Sequence, residues 1–122
     1  MSRVRTHSAA DAFDAPAAQV EDPRKGSALI APAVAQRLAK VFKSLSDPTR
    51  LRIISMVSEG EFCVSDLVAA LEMEQSTISH QLRDMRRLGL VSFRREGRQV
   101  FYRLDDPHVR NLYEQGLAHI QE

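Results

Sequence analysis

The chain has 122 residues, enough for one domain with a modest core, and its formal net charge is only +1, so charge in bulk singles out no polyanionic partner. Its single cysteine, Cys63, cannot form an intrachain disulfide, which points to a reducing compartment. No apolar run reaches membrane-spanning length and no secretory apolar stretch follows the N-terminal arginines, so a cytoplasmic protein with no membrane partner is expected.

The charges are unevenly placed. From Gln75 to Leu104 the chain carries Arg83, Arg86, Arg87, Arg94, Arg95, Arg98 and Arg103 against Asp84 and Glu96. From Asp105 to Glu122 the balance reverses, with Asp105, Asp106, Glu114 and Glu122 against Arg110. A basic middle and an acidic end suggest a polyanion surface and a cation site on separate elements.

Residues 1–27 are rich in Ala, Asp, Pro and Ser and show no periodicity, which predicts a flexible arm ahead of one folded domain over 28–122. His7, Asp11 and Asp14 in that arm are of metal-ligand type, but plain disorder accounts for them better. Pro32 to Leu45 then sets Val34, Leu38, Val41, Phe42 and Leu45 on one stripe, a first amphipathic helix. Asp47-Pro48 is a cap followed by a proline at the first helical position, and Thr49 to about Ser58 forms a second helix stopped by Gly60. Its apolar residues Leu51, Ile53, Ile54, Met56 and Val57 spread widely enough to imply deep burial.

Cys63 to Leu71 reads as a short third helix with Ser65 as its cap. A turn over Glu72-Met73-Glu74 leads to a fourth helix, Gln75 to Leu88, ended by Gly89. In it Ile78, Leu82, Met85 and Leu88 face inward, while Ser76, Ser79, His80, Arg83 and Arg87 face outward. Two short helices with a tight turn, the second polar and arginine-bearing outside, describe a helix-turn-helix.

Leu90 to Arg95 and Arg98 to Leu104 alternate as strands do, with Glu96-Gly97 as a two-residue hairpin turn. Such a hairpin is a wing, and its tip carries Arg94, Arg95, Arg98 and Gln99. The fold class is therefore mainly α with a β-hairpin wing, a winged helix-turn-helix. Gln75, Ser76, Ser79 and His80 lie where recognition helices contact double-stranded DNA and can read bases or hold phosphates. Arg83, Arg94, Arg95 and Arg98 suit phosphate or the minor groove.

The last stretch, Asp106 to Glu122, begins with another cap and proline, Asp106-Pro107, and places Val109, Leu112, Tyr113, Gly116, Leu117 and Ile120 on one face. His108 and His119 are eleven positions apart, which turns the helix to within about 20° of the same direction but separates them by roughly 16 Å. Zinc–nitrogen bonds are about 2 Å long, so the two imidazoles cannot share one ion within a chain. An antiparallel second copy sets His108 of one chain beside His119 of the other, with Asp106 and Glu122 adding a carboxylate at each end. A homodimer then carries two equal sites of two imidazoles and two carboxylates. The alternative is that Asp106 is only a cap and the histidines are surface residues.

Four segments together resemble the ArsR/SmtB family: Leu45-Ser46-Asp47-Pro48-Thr49-Arg50-Leu51-Arg52-Ile53, Glu61-Phe62-Cys63-Val64-Ser65-Asp66-Leu67, Ser76-Thr77-Ile78-Ser79-His80-Gln81-Leu82 and Gly97-Arg98-Gln99-Val100-Phe101-Tyr102. The resemblance covers about residues 31–122 and implies a dimeric winged-helix repressor that releases DNA when metal binds. Within the family the chain most resembles the zinc-sensing branch, whose site on the paired C-terminal helices starts Asp-x-His and ends His-x-x-Glu or His-x-x-His. Asp106, His108, His119 and Glu122 match position by position.

Some relatives carry a second site built from a third-helix cysteine and Cys or His in the arm. Cys63 and Asp66 match its helix half, while the arm offers no cysteine and only His7. The resemblance further implies that the apo dimer binds an inverted-repeat operator and blocks a zinc-export or zinc-sequestration gene. It also implies that His119 bonds backbone near Leu88 or Gly89. Cobalt or nickel could take the place of zinc, and a metal-independent regulator is the plainer alternative. A zinc hydrolase is not expected, because four protein ligands leave no open position and no His-Glu-x-x-His run exists.

Overall fold

A computed structural model describes residues 28–122, and the expected arm, with His7, Asp11 and Asp14, lies outside the described residues. The elements in order are α1 (Pro32–Ser44), α2 (Pro48–Val57), β1 (Phe62–Cys63), α3 (Val64–Leu71), α4 (Gln75–Arg87), β2 (Val91–Glu96), β3 (Gln99–Leu104) and α5 (Pro107–Ile120). Among the described residues no helix is long and apolar enough to cross a membrane.

Helix starts follow the local chemistry. Prolines stand at the first turns of α1, α2 and α5, where a missing N–H leaves nothing unpaired. Asp47 Oδ2 accepts from the Arg50 backbone N–H at 2.8 Å, and Asp106 Oδ1 from that of His108 at 2.8 Å, so each caps its helix. The cap of α3 differs from expectation. It is Cys63 rather than Ser65, and the Asp66 carboxylate accepts the Cys63 N–H at 3.1 Å. A carboxylate three residues into the helix reaches back to the cap N–H, which Ser65, already in the first turn, could not provide.

The turn between α3 and α4 passes through Glu72 in the left-handed region, φ 56°, the one such non-glycine among the described residues. Helix α4 ends as helices with a following glycine do. Gly89, at φ 77°, donates to the Arg86 carbonyl at 2.9 Å, and Leu90 donates to that of Met85 at 2.8 Å.

The wing strands pair antiparallel from Val91 opposite Leu104 to Glu96 opposite Gln99. The two-residue turn is thus Gly97-Arg98, one position later than expected. Gly97 has φ 65° while Arg98 does not enter that region, so glycine occupies the first central position, as a type II′ turn requires. The sheet also holds a third strand that periodicity did not reveal. The two residues of β1 pair with β3, Phe62 opposite Tyr102 and Cys63 opposite Phe101, giving the order β1-β3-β2.

One core joins these pieces. Ile53, Ile54 and Val57 of α2, Leu67 and Leu71 of α3, and Ile78, Leu82 and Met85 of α4 meet Leu90, Val91, Leu104 and Val109. Leu88, expected inward, is only half-buried, and Leu51 on α2 is exposed. The two end helices contribute little: α1 buries Val41 alone and α5 buries Val109 alone. Leu38, Phe42, Leu112 and Ile120 on these helices stay exposed.

Candidate nucleic-acid interface and metal-binding helix

The apolar set Ile78, Leu82 and Met85 fixes which side of α4 faces the core, each with no exposed surface. The opposite side is thereby turned outward. On it stand Gln75, Ser76, His80 and Arg83, all exposed, with Ser79 half-buried among them. At about 100° per residue these five fall within about 140° of arc, one continuous polar face. His80 Nε2 lies 3.7 Å from Asp84 Oδ2, and Arg87 Nη1 lies 3.1 Å from Asp84 Oδ1. One acid therefore neutralises part of this face toward its C-terminal end.

The arginines of the wing fall into two groups. Arg94 is committed within the chain: Nε bonds Glu61 Oε1 and Nη1 bonds Glu96 Oε1, each at 2.7 Å, and its guanidinium lies 4.9 Å from the Phe101 ring centre. Hydrogen bonds to Glu96 and then Glu61 raise its pKa above the ordinary arginine value. Arg95, Arg98 and Gln99 are exposed, and Arg98 sits in the turn itself. Arg95 stands 5.8 Å from the Phe93 ring centre, close enough for a weak cation–π attraction. An arginine with two carboxylates at hydrogen-bond distance is not a free phosphate donor, whereas among the described residues Arg95 and Arg98 meet no acid.

Several residues that brace this surface were not among the sequence candidates. Arg86 reaches from the end of α4 over Phe93 of β2, 4.3 Å from the ring centre, and Phe93 in turn tilts against Tyr102 at 6.0 Å. Glu61 anchors Arg94. Arg50 and Gln81 bond each other across 31 positions of sequence. No local periodicity signals such long-range pairs; only the fold brings them together.

The candidate metal ligands sit at the two ends of α5. Asp106 and His108 are adjacent in space, with Asp106 Oδ1 3.3 Å from His108 Nδ1, and the His108 side chain is 91% exposed. At the far end His119 is exposed on the last turn. Glu122 lies beyond the helix, whose last residue is Ile120 and whose C-cap is Gln121, so it does not extend the helical face as expected. Among the described residues of a single chain, no three His, Cys, Asp or Glu side chains gather about one point.

At the Asp106 end an imidazole and a carboxylate two residues apart stand side by side, and such nitrogen and oxygen donors suit zinc and its neighbours rather than soft thiophilic ions. Cys63 and Asp66 are occupied otherwise. The thiol is buried with Sγ 3.1 Å from Ser65 Oγ, and Asp66 caps α3.

Known proteins share this architecture. The profile of the bacterial regulatory protein ArsR family matches residues 47–92. The chain is 49% identical over 88 residues to the transcriptional repressor SmtB homolog of Synechocystis, covering 72% of this chain and 67% of that one. It is 40% identical over 100 residues to the transcriptional regulator NmtR of Mycobacterium tuberculosis, covering 82% and 83% respectively. Among solved structures it resembles the homodimeric winged helix-turn-helix DNA-binding domain of Mb0332 from Mycobacterium bovis, with a TM-score of 0.65 and 29% identity over 84% of this chain and 89% of that one.

Proposed function

The chain belongs to the ArsR/SmtB family of bacterial regulatory proteins, and from that membership we propose that it is a zinc-responsive repressor working as a homodimer on an inverted-repeat operator. It is a DNA-binding transcription regulator of the metal-responsive kind, not an enzyme. The observation that carries the zinc reading is the pairing of Asp106 with His108 at one exposed end of α5 while His119 stands exposed at the other. Asp106 and His108 of one protomer, with His119 and Glu122 of a second copy, would hold the ion. Bound there, the ion would supply a link between the α5 helices of the two protomers.

The protein's own residues do the rest. Leu38, Phe42, Leu112 and Ile120 are apolar and exposed on α1 and α5, the faces a second copy would cover. Gln75, Ser76, Ser79, His80 and Arg83 would enter the major groove. Arg95, Arg98 and Gln99 would reach the flanking backbone, with Arg94 stiffening the wing from within. A dimer has two such helices at a fixed separation, and any change in the α5–α5 packing angle alters how well both fit successive grooves.

Two nitrogens and two carboxylate oxygens also accommodate cobalt or nickel, and the absorption spectrum of the cobalt-loaded protein distinguishes tetrahedral from octahedral coordination. The deciding experiment is titration of the apo dimer with zinc while operator binding is followed. Loss of operator affinity at two zinc ions per dimer is the expected result; an unchanged affinity leaves a metal-independent regulator.

A further inference from the structure

Beside the DNA-facing side of α4, a separate polar cluster joins three helices. The Arg50 guanidinium donates from Nη1 to the Ser44 carbonyl at 2.8 Å and from Nε to Gln81 Oε1 at 3.1 Å. The Gln81 amide donates from Nε2 to Asp47 Oδ2 at 3.2 Å, and the same Oδ2 accepts the Arg50 backbone N–H at 2.8 Å. The bonds close a ring through Asp47, Arg50 and Gln81 and extend to the last turn of α1. Only one orientation of the Gln81 amide completes it, because the guanidinium has donors alone and the carboxylate acceptors alone.

We infer that Arg50 and Gln81 are positioning residues for operator binding, fixing the rotation and tilt of α4 against α1 without touching DNA. Gln81 is two residues from both Ser79 and Arg83, hence roughly 160° round the helix from each, on the side away from the groove. The apolar contacts of Ile78, Leu82 and Met85 are non-directional and hold α4 down without setting its rotation closely. The Gln81 amide is directional. At a helix radius of about 5–6 Å, a rotation of 10° displaces a surface atom by about 1 Å, which is enough to break a hydrogen bond to a base edge.

At the other end of the cluster, the Ser44 carbonyl belongs to the last turn of α1, where carbonyls have no partner four residues on within the helix, and α1 has one buried residue. Arg50 gives that weakly packed helix a directional tie to α4. This inference rests on the dimeric repressor reading, in which α1 meets the second copy and α4 meets DNA; the cluster would then set the distance between the two recognition helices.

The test uses the full chain and a duplex that the wild-type protein selects from a random-sequence pool. Gln81→Met, Arg50→Gln and the double variant are compared for affinity to that duplex over a range of salt, for zinc affinity without DNA, and for thermal midpoint. Each single variant should lose affinity by about tenfold, and the double should lose no more than the worse single, because the ring acts as one unit. The slope of log affinity against log salt and the zinc affinity should match wild type.

Additive losses, or wild-type affinity in either single variant, would overturn the inference. So would a salt slope shallower by about 0.9 per operator half-site in Arg50→Gln, which marks a lost phosphate contact. Should Arg50→Gln fail to fold, Arg50→Lys removes the forked geometry while keeping the charge, and the outcomes for affinity and additivity apply to it. If the wild-type chain selects no duplex, the repressor reading itself fails; if it does and the variants bind normally, only the positioning role fails.

Discussion

The guanidinium carbon of Arg86, in the last turn of α4, lies 4.3 Å from the centre of the Phe93 ring on β2. Recognition helix and wing are joined there by a cation stacked on an aromatic face. Phe93 is backed by Tyr102 on β3 at 6.0 Å, so the joint reaches both wing strands.

Arg86→Ala should loosen this joint. An exposed cation–π contact contributes about 0.5–1 kcal/mol, and that amount lowers the thermal midpoint of a domain this size by roughly 2–8 °C. Calorimetry of the apo protein checks the figure. Operator affinity should fall as well, because the wing arginines then lose their fixed reach.

Arg98→Ala should weaken binding to all sequences alike and reduce the salt slope by about 1 per operator half-site, as loss of a phosphate contact does. Arg94→Ala should change the slope less, since Arg94 is already bonded to Glu61 and Glu96. Affinities measured at several salt concentrations on operator and unrelated DNA separate the two. A selective loss on the operator with Arg98→Ala would show base reading instead.

His119→Ala should keep operator binding and lose the zinc response. Under the proposed mechanism the coupling is reciprocal, so bound operator should weaken zinc binding in the unaltered protein by the same factor by which zinc weakens operator binding. Zinc affinity measured with and without operator tests that equality, and unequal factors would mean that more than these two ligands are bound.

Leu82→Ala removes a side chain with no exposed surface from the centre of the core, on the helix that carries Ser79 and Arg83. The expected cost is about 2–5 kcal/mol, and the cavity also frees α4 to shift. Denaturant unfolding gives the first quantity. Operator affinity of the folded fraction gives the second.

Much of the fold was legible because its signals are local. Asp47-Pro48 and Asp106-Pro107 announce helix starts by cap and ring chemistry, and both helices begin there. The inward row Ile78, Leu82 and Met85 follows directly from helical period. The misses are places where a distant partner decides. Two residues, Phe62 and Cys63, become a strand only because β3 has a free edge to pair with. The wing turn slips by one residue because Gly97, not Glu96, can take a positive φ at the first turn position.

Of the candidate site, the sequence carries only what helical period can show: it turns His108 and His119 the same way, and the structure sets Asp106 against His108. Arg94 looked like a DNA contact because it is an arginine near the wing tip; Glu61, 33 positions away, was needed to see that it is engaged. Arg50 and Gln81 carry no pattern that pairs them. Their bond exists only once α2 and α4 are packed together.

Helix α5 has fourteen residues and a single fully buried side chain, Val109. A peptide of that length is marginal as an isolated helix in water, so much of its order has to be lent by whatever covers its apolar side. If that cover is another molecule of the same chain, folding and association are one equilibrium governed by mass action. The melting midpoint is then a property of the solution, not of the molecule: dilution should lower it, and saturating metal should make it far less sensitive to dilution.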